Sequence, residues 1–472
     1  MKYTPVIGLE IHAELKTRTK MFCDSVNDPD EKRANWNICP ICMGHPGTLP
    51  VINREAVRKV ILAGLALNCS IEHDTFFERK NYFYPDLPKG YQITQYQKPL
   101  CYEGELTLKD GHQIRITRIH LEEDAGRLYH TDDGTLVDYN RAGMPLMELV
   151  TEPDFENGQQ VREFAEELQR ILRYLGVSDA DMEKGLMRVE VNISLTNADG
   201  SYGTKVEIKN LNSIAAAANS VDHEIKRQRE ALEAGDKIVQ ETRGWDENKK
   251  QTFSQRTKEE AHDYRYFPEP DLPPLHFQDA DIEAIGATLP ELPAARRARF
   301  AKQYGLPEAD IEIFTTNKRL GDFFEHVCSE LGDKKLFKLA ANYLITQFQK
   351  HLLVGENPED SKITPEMFAE LIVMTAGKKI SSSAAQMVLE EMFKTGLHPE
   401  AIVKEKDLGQ VSDTGALDEV VDKVIADNGK AVEDYKKGKE ASLKFLVGMA
   451  MRESKGKANP QVLEELIKNK IK

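Results

Sequence analysis

The chain has 472 residues, of which 40% are hydrophobic and 30% are charged. This length exceeds what one hydrophobic core supports, so two or three domains are expected. No apolar run approaches the roughly 18 residues that a membrane-spanning helix needs. The N-terminus enters strand-like sequence without a secretory signal pattern, so we expect a cytoplasmic protein with no membrane contact. Its six cysteines are too few for a disulfide framework and should be reduced there.

The charge of the chain is unevenly distributed. The net charge of −15 argues at first against a nucleic-acid partner. However, residues 428–472 contain ten lysines and one arginine against six acidic residues. A basic end on an acidic body permits contact with nucleic acid. The same composition is also typical of a solvated helical surface, so charge alone leaves both interpretations open.

A stretch rich in carboxylates runs from residue 120 to residue 154. Its acidic residues include Glu122, Glu123, Asp124, Asp138, Glu148, Glu152 and Asp154. Ile119 precedes the stretch and Leu149 follows Glu148 within it, so apolar residues accompany the carboxylates, unlike in a solvated lysine-rich segment. Clustered carboxylates repel one another unless cations, metals or water compensate them. These side chains are therefore candidate ligands for a hard cation.

Three segments alternate between apolar and polar residues, over residues 6–15, 188–195 and 204–209. This pattern predicts strands with one buried face and one polar face. If these strands pair with strands of the carboxylate-rich stretch in an antiparallel sheet, six side chains could share a single surface. They are Glu10, His12, Glu122, Glu148, Glu190 and Glu207. The alternative is that each polar face only meets water.

Three cysteines lie close together in the sequence. Cys39 and Cys42 form a Cys-x-x-Cys knuckle, and Cys23 precedes it. Structural zinc requires four tetrahedral ligands, and His45 could supply the fourth. Unmetallated thiols are the alternative interpretation.

A segment rich in aromatic residues, prolines and cations spans residues 79–92, and it is typical of a structured loop. Arg79, Lys80 and Lys89 could contact phosphate while a tyrosine or phenylalanine stacks on a base. A packed surface loop explains the same composition.

The rest of the chain is predominantly helical. Residues 161–175 and 213–233 are predicted helices, and strand patterns disappear after about residue 292. Thr364 before Pro365 is typical of a helix start. The predicted fold is α+β, with an N-terminal domain on an antiparallel sheet with flanking helices, then an all-α domain and an all-α tail. The predicted boundaries are 1–290, 291–408 and 409–472.

Common catalytic motifs are missing from the sequence. It contains no GxGxxG, GxSxG, HExxH or P-loop motif, nor a convincing Cys/His nucleophile pair. An enzyme with this sequence would therefore use an arrangement of catalytic residues other than these motifs.

The motifs together resemble one family closely, the GatB/GatE family of tRNA-dependent amidotransferase subunits. The matching segments occur in the family's order and are residues 7–12, 79–84, 120–126, 144–154 and 264–272. The resemblance covers essentially the whole chain, and the last third is similar to the family's YqeY-like region. It implies a catalytic kinase and transamidase domain at residues 1–290 and a tRNA-binding tail at 409–472.

The resemblance also implies an activity. The family activates the side chain of misacylated Glu-tRNA(Gln) or Asp-tRNA(Asn) with ATP and then amidates it to Gln-tRNA(Gln) or Asn-tRNA(Asn). The ammonia comes from an A subunit, an amidase, and the complex is held together by a small C subunit. The missing glutaminase nucleophile agrees with this division of labour, and phosphoryl transfer requires divalent cations. The alternative function is a non-catalytic tRNA-binding scaffold of such a complex.

By resemblance, the site residues fall into four groups. The positions that match magnesium ligands are His12, Glu122 and Glu148. The carboxylates that extend the site as catalytic residues are Glu10, Glu190 and Glu207. The candidates for contacts with ATP are Arg79, Arg188 and Lys205. The remaining group is a structural zinc site at Cys23, Cys39 and Cys42. Many relatives carry a Cys-x-Cys pair where this chain has Cys23-Asp24-Ser25, so one expected zinc ligand is missing.

Overall fold

A computed structural model describes residues 3–197, 200–257, 264–353, 355–409, 414–454, 458 and 460–471. The chain divides into two compact units, residues 1–293 and 294–472.

The first unit is built on a mainly antiparallel sheet, to which twelve strands of the described segments contribute. The strands in chain order are β1 (Pro5–Glu14), β2 (Ser70–Ile71), β3 (Asp74–Thr75), β4 (Glu78–Asn81), β5 (Tyr91–Thr94), β6 (Cys101–Thr107), β7 (Gln113–Glu123), β8 (Arg127–Thr131), β9 (Gly134–Asp138), β10 (Pro145–Thr151), β11 (Met187–Leu195), β12 (Val206–Ile208), β13 (Glu241–Asp246), β14 (Gln251–Thr257), β15 (Phe267–Pro268) and β16 (Leu275–His276). The main path through the sheet is β14-β13-β12-β11-β1-β10-β7-β5-β4-β15, and β6 joins β7 to β2. The pairs β3–β16 and β8–β9 form separate two-stranded sheets.

Strand β1 lies at the centre because both of its edges are paired. It is antiparallel to β10 on one side and to β11 on the other. Its alternation places Ile7, Leu9 and Ile11 on a face that is almost completely buried. Full burial of one such side chain stabilises a fold by roughly 1.5–3 kcal/mol. The alternate residues of β1 are therefore left on the opposite, polar face.

Helices accompany the sheet of the first unit. They are α1 (Arg54–Ala66), α2 (Gly158–Tyr174), α3 (Ile214–Ala234) and α4 (Asp279–Gly286). Asn157 caps α2 by accepting a hydrogen bond from the Gln160 N–H at 3.0 Å. Ser213 caps α3 in the same way through the Ala216 N–H. The apolar stripe of α2, including Val161 and Phe164, belongs to one hydrophobic core with the buried face of β1.

The second unit is helical, and no strand occurs in the part of it that the structure describes. Its α-helices are α5 (Pro293–Tyr304), α6 (Glu308–Thr316), α7 (Lys318–Leu331), α8 (Phe337–Thr346), α9 (Pro365–Ala376), α10 (Ser382–Thr395), α11 (Pro399–Glu405), α12 (Thr414–Asp427), α13 (Gly429–Lys436), α14 (Glu440–Glu453) and α15 (Pro460–Ile471). One hydrophobic cluster lies within residues 300–402 and a second within residues 417–471. As predicted, Thr364 caps α9 through the Met367 N–H, and Pro365 is its first residue.

The predicted fold class is confirmed, since an antiparallel sheet with helices precedes an all-α region. The finer division into three parts, with a boundary at 408/409, stays a prediction. Of the helices that the structure describes, none is long and apolar enough to cross a membrane.

Candidate metal and phosphate site

The polar face of the sheet brings together acidic side chains from four strands. His12 of β1 is paired with Glu148 of β10, and Glu10 is paired with Glu190 of β11. On the next strand, His120 of β7 is paired with Glu148. Directly opposed residues in an antiparallel pair project from the same face. The pairing of distant strands therefore creates the cluster.

The centre of this cluster is the imidazole of His12. Its Nε2 atom lies 3.4 Å from Glu148 Oε2, 3.6 Å from Glu122 Oε1 and 3.9 Å from Glu10 Oε1. The Nε2 atom of His120 lies 3.7 Å from Glu148 Oε2. Two sets of ligand atoms, Glu10–His12–Glu148 and His120–Glu122–Glu148, each lie within 4.8 Å of one another. Glu148 belongs to both sets.

Burial and mutual charge shift the proton affinities of this cluster. Burial lowers the pKa of His12, but its hydrogen bond to Glu148 and the charge of Glu122 raise that pKa to about 9. Burial and the charge of Glu148 raise the pKa of Glu122 to about 7. Burial also raises the pKa of Glu148, yet His120 and His12 hold it below its usual range. Burial lowers the pKa of His120 to about 4. The cluster thus holds its negative charge around one protonated imidazole.

The donor set fits a divalent cation. Glu122 and Glu148 are almost completely buried, with exposures of 2% and 7%, and like-charged carboxylates are rarely buried together without compensation. The Nδ1 atoms of His12 and His120 are buried and lack a hydrogen-bond partner in the described structure. Carboxylate oxygens supplemented by an imidazole suit a hard cation that keeps some of its waters.

One lysine of the aromatic loop faces this cluster. The charges of Glu122 and Glu148 raise the pKa of Lys80, although burial lowers it. The Lys80 ammonium lies beside two aromatic rings, 5.0 Å from the centroid of Tyr264 and 5.8 Å from that of Tyr82. In the described part of the chain, it forms no ion pair within 4.0 Å. Lys80 is therefore a cation available to a phosphate.

The side chain of Arg79, the neighbour of Lys80, is bound by other carboxylates and not by this cluster. Its Nε and Nη2 atoms each donate to Glu269 at 2.7 Å, and Nη2 also contacts Asp271 at 3.2 Å. Its guanidinium carbon lies 4.3 Å from the ring centroid of Tyr91. Successive residues of a strand point to opposite faces. The Arg79 guanidinium is thus already bound by two carboxylates and packed against a ring.

Arg188 borders the cluster and is partly occupied. Its Nη2 atom donates to Asp124 Oδ1 at 3.0 Å, and Arg141 donates to the other oxygen at 2.5 Å. Burial raises the pKa of Asp124, but the two guanidinium groups hold it well below its usual range. Arg141 also pairs with Glu14, whose pKa burial and the charge of Asp124 raise to about 7. The side chain of Arg188 remains 43% exposed and can meet a ligand.

Glu190 and Glu207 lie beyond Glu10 on the same face. Lys209 connects them, with Nζ 2.6 Å from Glu190 Oε2 and 3.3 Å from Glu207 Oε1. The Thr242 hydroxyl also donates to Glu207 at 3.2 Å. Burial and then the charge of Glu148 raise the pKa of Glu10. The three carboxylates form an arm that leads away from His12.

The predicted cysteine group is present in the structure. The Sγ atoms of Cys23, Cys39 and Cys42 lie within 4.8 Å of one another and could hold a metal ion. The fully buried Lys20 lies beside them, with Nζ 3.8 Å from Cys42 Sγ. A hydrogen bond with Cys23, followed by the charge of Lys20, lowers the pKa of Cys42 to about 5. His45, the suggested fourth ligand, is not in this group of potential ligands.

Sequence reasoning overlooked two residues of these clusters. His120 was not proposed as a ligand, although its parity on β7 matches that of Glu122 and could have indicated it. The approach of Lys20 to the thiols depends on long-range packing, so no sequence pattern indicates it.

Comparisons with known proteins agree with this architecture. Residues 5–283 match the family model described as the GatB/GatE catalytic domain, and residues 322–471 match the model described as the GatB domain. The chain is 49% identical over 477 residues to the aspartyl/glutamyl-tRNA(Asn/Gln) amidotransferase B subunit of Caldanaerobacter subterraneus subsp. tengcongensis, covering 100% of both chains. Proteins of the same name from Caldicellulosiruptor saccharolyticus and Dehalococcoides mccartyi are 48% and 45% identical, covering 100% of this chain and 99% of theirs. The chain therefore belongs to the GatB/GatE family.

Proposed function

We propose that this chain is the subunit of a tRNA-dependent amidotransferase that activates and amidates the aminoacyl side chain. Its substrates are ATP and misacylated Glu-tRNA(Gln) or Asp-tRNA(Asn), and the products are Gln-tRNA(Gln) or Asn-tRNA(Asn). The observation that carries this proposal is the convergence of Glu10, Glu122 and Glu148 around His12. Acidic clusters of this kind support phosphoryl transfer without a P-loop.

His12, Glu122 and Glu148 are the residues that would hold Mg²⁺. Bound there, the ion would neutralise charge that develops on the transferred phosphoryl group. Because Glu148 also belongs to the set with His120 and Glu122, a second cation has ligands on the same face. Mg²⁺ fits this site because most of the potential ligand atoms are carboxylate oxygens that are buried and close together.

The surrounding cations bind and orient the phosphates in this proposal. Arg188 and Lys205 are exposed enough to reach a nucleotide, and Lys80 faces the carboxylates. Arg79 contributes more weakly, since Glu269 and Asp271 already bind its guanidinium.

Glu10, Glu190 and Glu207 act in the amidation step. Attack of ammonia on the acyl phosphate forms the C–N bond, and phosphate leaves with the electron pair of the broken C–O bond. The nitrogen must also lose a proton. Glu10 is suited to accept it because a carboxylate with a raised pKa is a stronger base. Glu190 and Glu207, joined through Lys209, orient this acidic arm.

The partners in this proposal are the tRNA, an A subunit that supplies ammonia, and a C subunit. The relatives are named as the B component of an amidotransferase for tRNA(Asn) and tRNA(Gln). Residues 1–290 would form the catalytic domain, 291–408 a helical domain and 409–472 a tRNA-binding tail. A cytoplasmic location is part of this proposal, since the relatives are named for a reaction on tRNA. Cys23, Cys39 and Cys42 would hold structural zinc through three thiolates, with free thiols as the alternative.

The decisive experiment separates activation from ammonia production. The chain is purified with its A and C partners and supplied with Glu-tRNA(Gln), Mg²⁺ and ATP. Glu122→Gln and Glu148→Gln should abolish amidation while glutaminase activity remains. Glu152→Gln is the matched control, since this carboxylate accepts a hydrogen bond from Thr117 outside the cluster. Unchanged amidation in the first two variants would favour the non-catalytic tRNA-binding scaffold.

A further inference from the structure

Residues 264–271 form an edge segment at one end of the sheet in the first unit. They contain β15, the last strand on the main path through the described sheet. This strand is only two residues long, and it pairs Phe267 with Arg79 and Pro268 with Glu78. Proline has no N–H to donate, so backbone hydrogen bonds alone hold so short a strand weakly. The position of the edge segment therefore depends on side-chain contacts.

A fork of charged hydrogen bonds fixes the edge segment to β4. Arg79 Nε and Nη2 each donate to Glu269 at 2.7 Å, and the Glu269 N–H donates to the Phe77 carbonyl oxygen at 2.8 Å. The side chain of Glu269 is completely buried. A bidentate arginine–carboxylate pair fixes orientation as well as distance. Loss of Arg79 would leave the charge of Glu269 buried without a cation.

The other end of the edge segment carries two tyrosines. Tyr266 stacks on Tyr96, with ring centroids 4.4 Å apart and planes at 10°. Tyr264 meets Tyr266 and Tyr82 edge to face, at 6.0 Å and 5.8 Å between centroids. Arg265, between the two tyrosines, has a φ of +46°, a strained value that persists only where the surrounding structure imposes it. The four rings form a tyrosine wall, half of which the edge segment supplies.

The tyrosine wall holds the ammonium of Lys80. This ammonium lies 5.0 Å from the ring centroid of Tyr264 and 5.8 Å from that of Tyr82. A cation within about 6 Å of an aromatic face is attracted by the ring. Burial lowers the pKa of Lys80, but the charges of Glu122 and Glu148 raise it above its usual value. The wall therefore places the ammonium beside the carboxylates of the acidic cluster.

Arg79 lies on the other side of β4 from this ammonium. Successive residues of a strand point to opposite faces, and the guanidinium carbon of Arg79 packs 4.3 Å from the ring centroid of Tyr91. Its Nε and Nη2 atoms are bound by Glu269, and Nη2 also contacts Asp271 at 3.2 Å. Both acids belong to the edge segment. Arg79 thus reaches the acidic cluster through this segment and not by contact.

We propose that Arg79 is a positioning residue, which holds the tyrosine wall, and through it the Lys80 ammonium, by fixing Glu269 of the edge segment. This assignment rests on the proposed function, in which Lys80 meets a phosphate, and it gives Arg79 a part other than phosphate contact. The two parts predict opposite results for Glu269. If Arg79 binds phosphate, neutralising Glu269 frees the guanidinium and preserves activity. If Arg79 fixes the segment, neutralising Glu269 is as harmful as removing Arg79.

The test compares Arg79→Gln, Glu269→Gln and the double variant in the full complex with the A and C subunits. ATP-dependent amidation of Glu-tRNA(Gln) should fall about 100-fold in each, as expected for a displacement of about 1 Å at a reacting site. The double variant should be no worse than either single variant, because both changes remove the same fork. It also buries no unpaired charge, so its defect would come from the lost fork alone.

The variant Lys80→Met distinguishes positioning from general stability. In a Lys80→Met background, Arg79→Gln should cause little further loss of amidation, because the ammonium that it positions is already gone. A residue that only stabilised the fold would cause the same fold-loss in both backgrounds. Arg79→Lys keeps a positive charge but cannot form the fork, so it should remain as defective as Arg79→Gln.

Limited digestion with trypsin reports on the edge segment independently of activity. Arg265 is exposed, and cleavage after it can be followed by mass spectrometry of the fragments. Arg79→Gln and Glu269→Gln should raise the rate of this cleavage, because local opening exposes a chain to proteases. General unfolding would instead raise cleavage throughout the first unit and lower the melting temperature.

Arg115→Gln is the matched control. Arg115 forms a fork of the same kind with Asp154, donating from Nε at 2.9 Å and from Nη2 at 2.6 Å. This fork lies outside the edge segment. Its removal should leave both amidation and cleavage after Arg265 unchanged.

The outcomes separate this proposal from the proposed function. If wild type shows no ATP-dependent amidation, the proposed function fails, whereas unchanged cleavage after Arg265 in Arg79→Gln overturns the positioning role by itself. If amidation is normal in Glu269→Gln or restored in Arg79→Lys, the fork is not needed and the proposal is overturned. An equal loss from Arg79→Gln with and without Lys80 also overturns it, while the function stands.

Discussion

Binding of a metal by the acidic cluster should release protons and should strengthen as the pH rises. Without a metal, the hydrogen bond to Glu148 and the charge of Glu122 hold the pKa of His12 at about 9. An imidazole must lose its ligating proton before that nitrogen can bind a metal. Proton and metal therefore compete for the same Nε2 atom.

The pKa values of His12 and Glu122 determine the size of this competition. At pH 7, His12 with a pKa of about 9 is almost fully protonated, and Glu122 with a pKa of about 7 is about half protonated. Binding at pH 7 should therefore release between one and two protons. Each pH unit below the pKa of His12 weakens affinity about tenfold, so affinity should fall roughly 100-fold between pH 9 and pH 7. The same raised pKa predicts that His12 stabilises the metal-free fold below about pH 6.5, a contribution that is lost as the pH rises through about 9.

Titration calorimetry with Mn²⁺ in place of Mg²⁺ provides the measurement. Titrations at one pH in two buffers of different ionisation enthalpy count the protons released, and a series from pH 7 to pH 9 gives the slope. His12→Gln removes the imidazole and should flatten most of the pH dependence. If wild type releases no protons and its affinity is independent of pH, then His12 is not a direct ligand and acts through water or not at all.

Three further predictions concern other parts of the chain. Asp124→Asn should destabilise the metal-free chain by about 3 kcal/mol, because it leaves the guanidinium groups of Arg141 and Arg188 without their shared carboxylate. The difference in denaturant unfolding should shrink as the pH falls below about 4, because the unfolded chain then takes up a proton at Asp124, whereas the arginines hold the pKa of this carboxyl well below its usual range in the folded chain. Replacing the exposed Lys444 and Arg452 of α14 by alanine should weaken tRNA binding at low salt and lower the slope of log affinity against log salt by about 2, without affecting assembly of the complex. If zinc is bound, metal analysis should find about one equivalent in wild type and a clear loss in Cys42→Ser, whereas less than about half an equivalent in wild type would favour free thiols.

Local patterns in the sequence were sufficient to predict the faces of the central strands. The alternation over residues 6–15 separates Ile11 from His12, and the structure buries the first and places the second among carboxylates. Helix positions were also predicted closely. The helix expected at 161–175 begins at Gly158, because Asn157 caps it before the apolar stripe starts. These features depend on neighbouring residues, which a single sequence displays.

The pairing of strands could not be predicted from the same patterns. Strand β1 lies between β10 and β11, more than 130 residues away in sequence, and alternation does not specify a partner. For the same reason, the sequence does not show which of Arg79 and Lys80 faces the acidic cluster. One of two adjacent strand residues must face the cluster, but which one depends on the register of β4 with β5. Family resemblance supplied the grouping of His12 with Glu122 and Glu148, which alternation alone left open.

Ion pairing within the acidic stretch separates structural carboxylates from candidate ligands. Glu123 is held by Lys89, Asp124 by two arginines and Asp154 by Arg115. Each of these acids has a lysine or arginine whose charge cannot be removed near neutral pH. Glu122 differs, since the ion pair that the structure gives it within 4.0 Å is with His12.

A histidine can lose its proton near neutral pH, unlike an arginine. A divalent cation that displaces the proton of His12 would therefore replace one positive charge by two beside Glu122 and Glu148. Arg118 also pairs with Glu148, at 3.4 Å from Oε1, whereas His12 contacts the other oxygen, Oε2, so this ion pair need not break when Oε2 binds a metal. Binding a metal at Asp124 would instead require the displacement of two guanidinium groups that stabilise the fold. This difference in partners explains why Glu122 and Glu148 are better suited than Glu123, Asp124 and Asp154 to bind and release a metal during turnover.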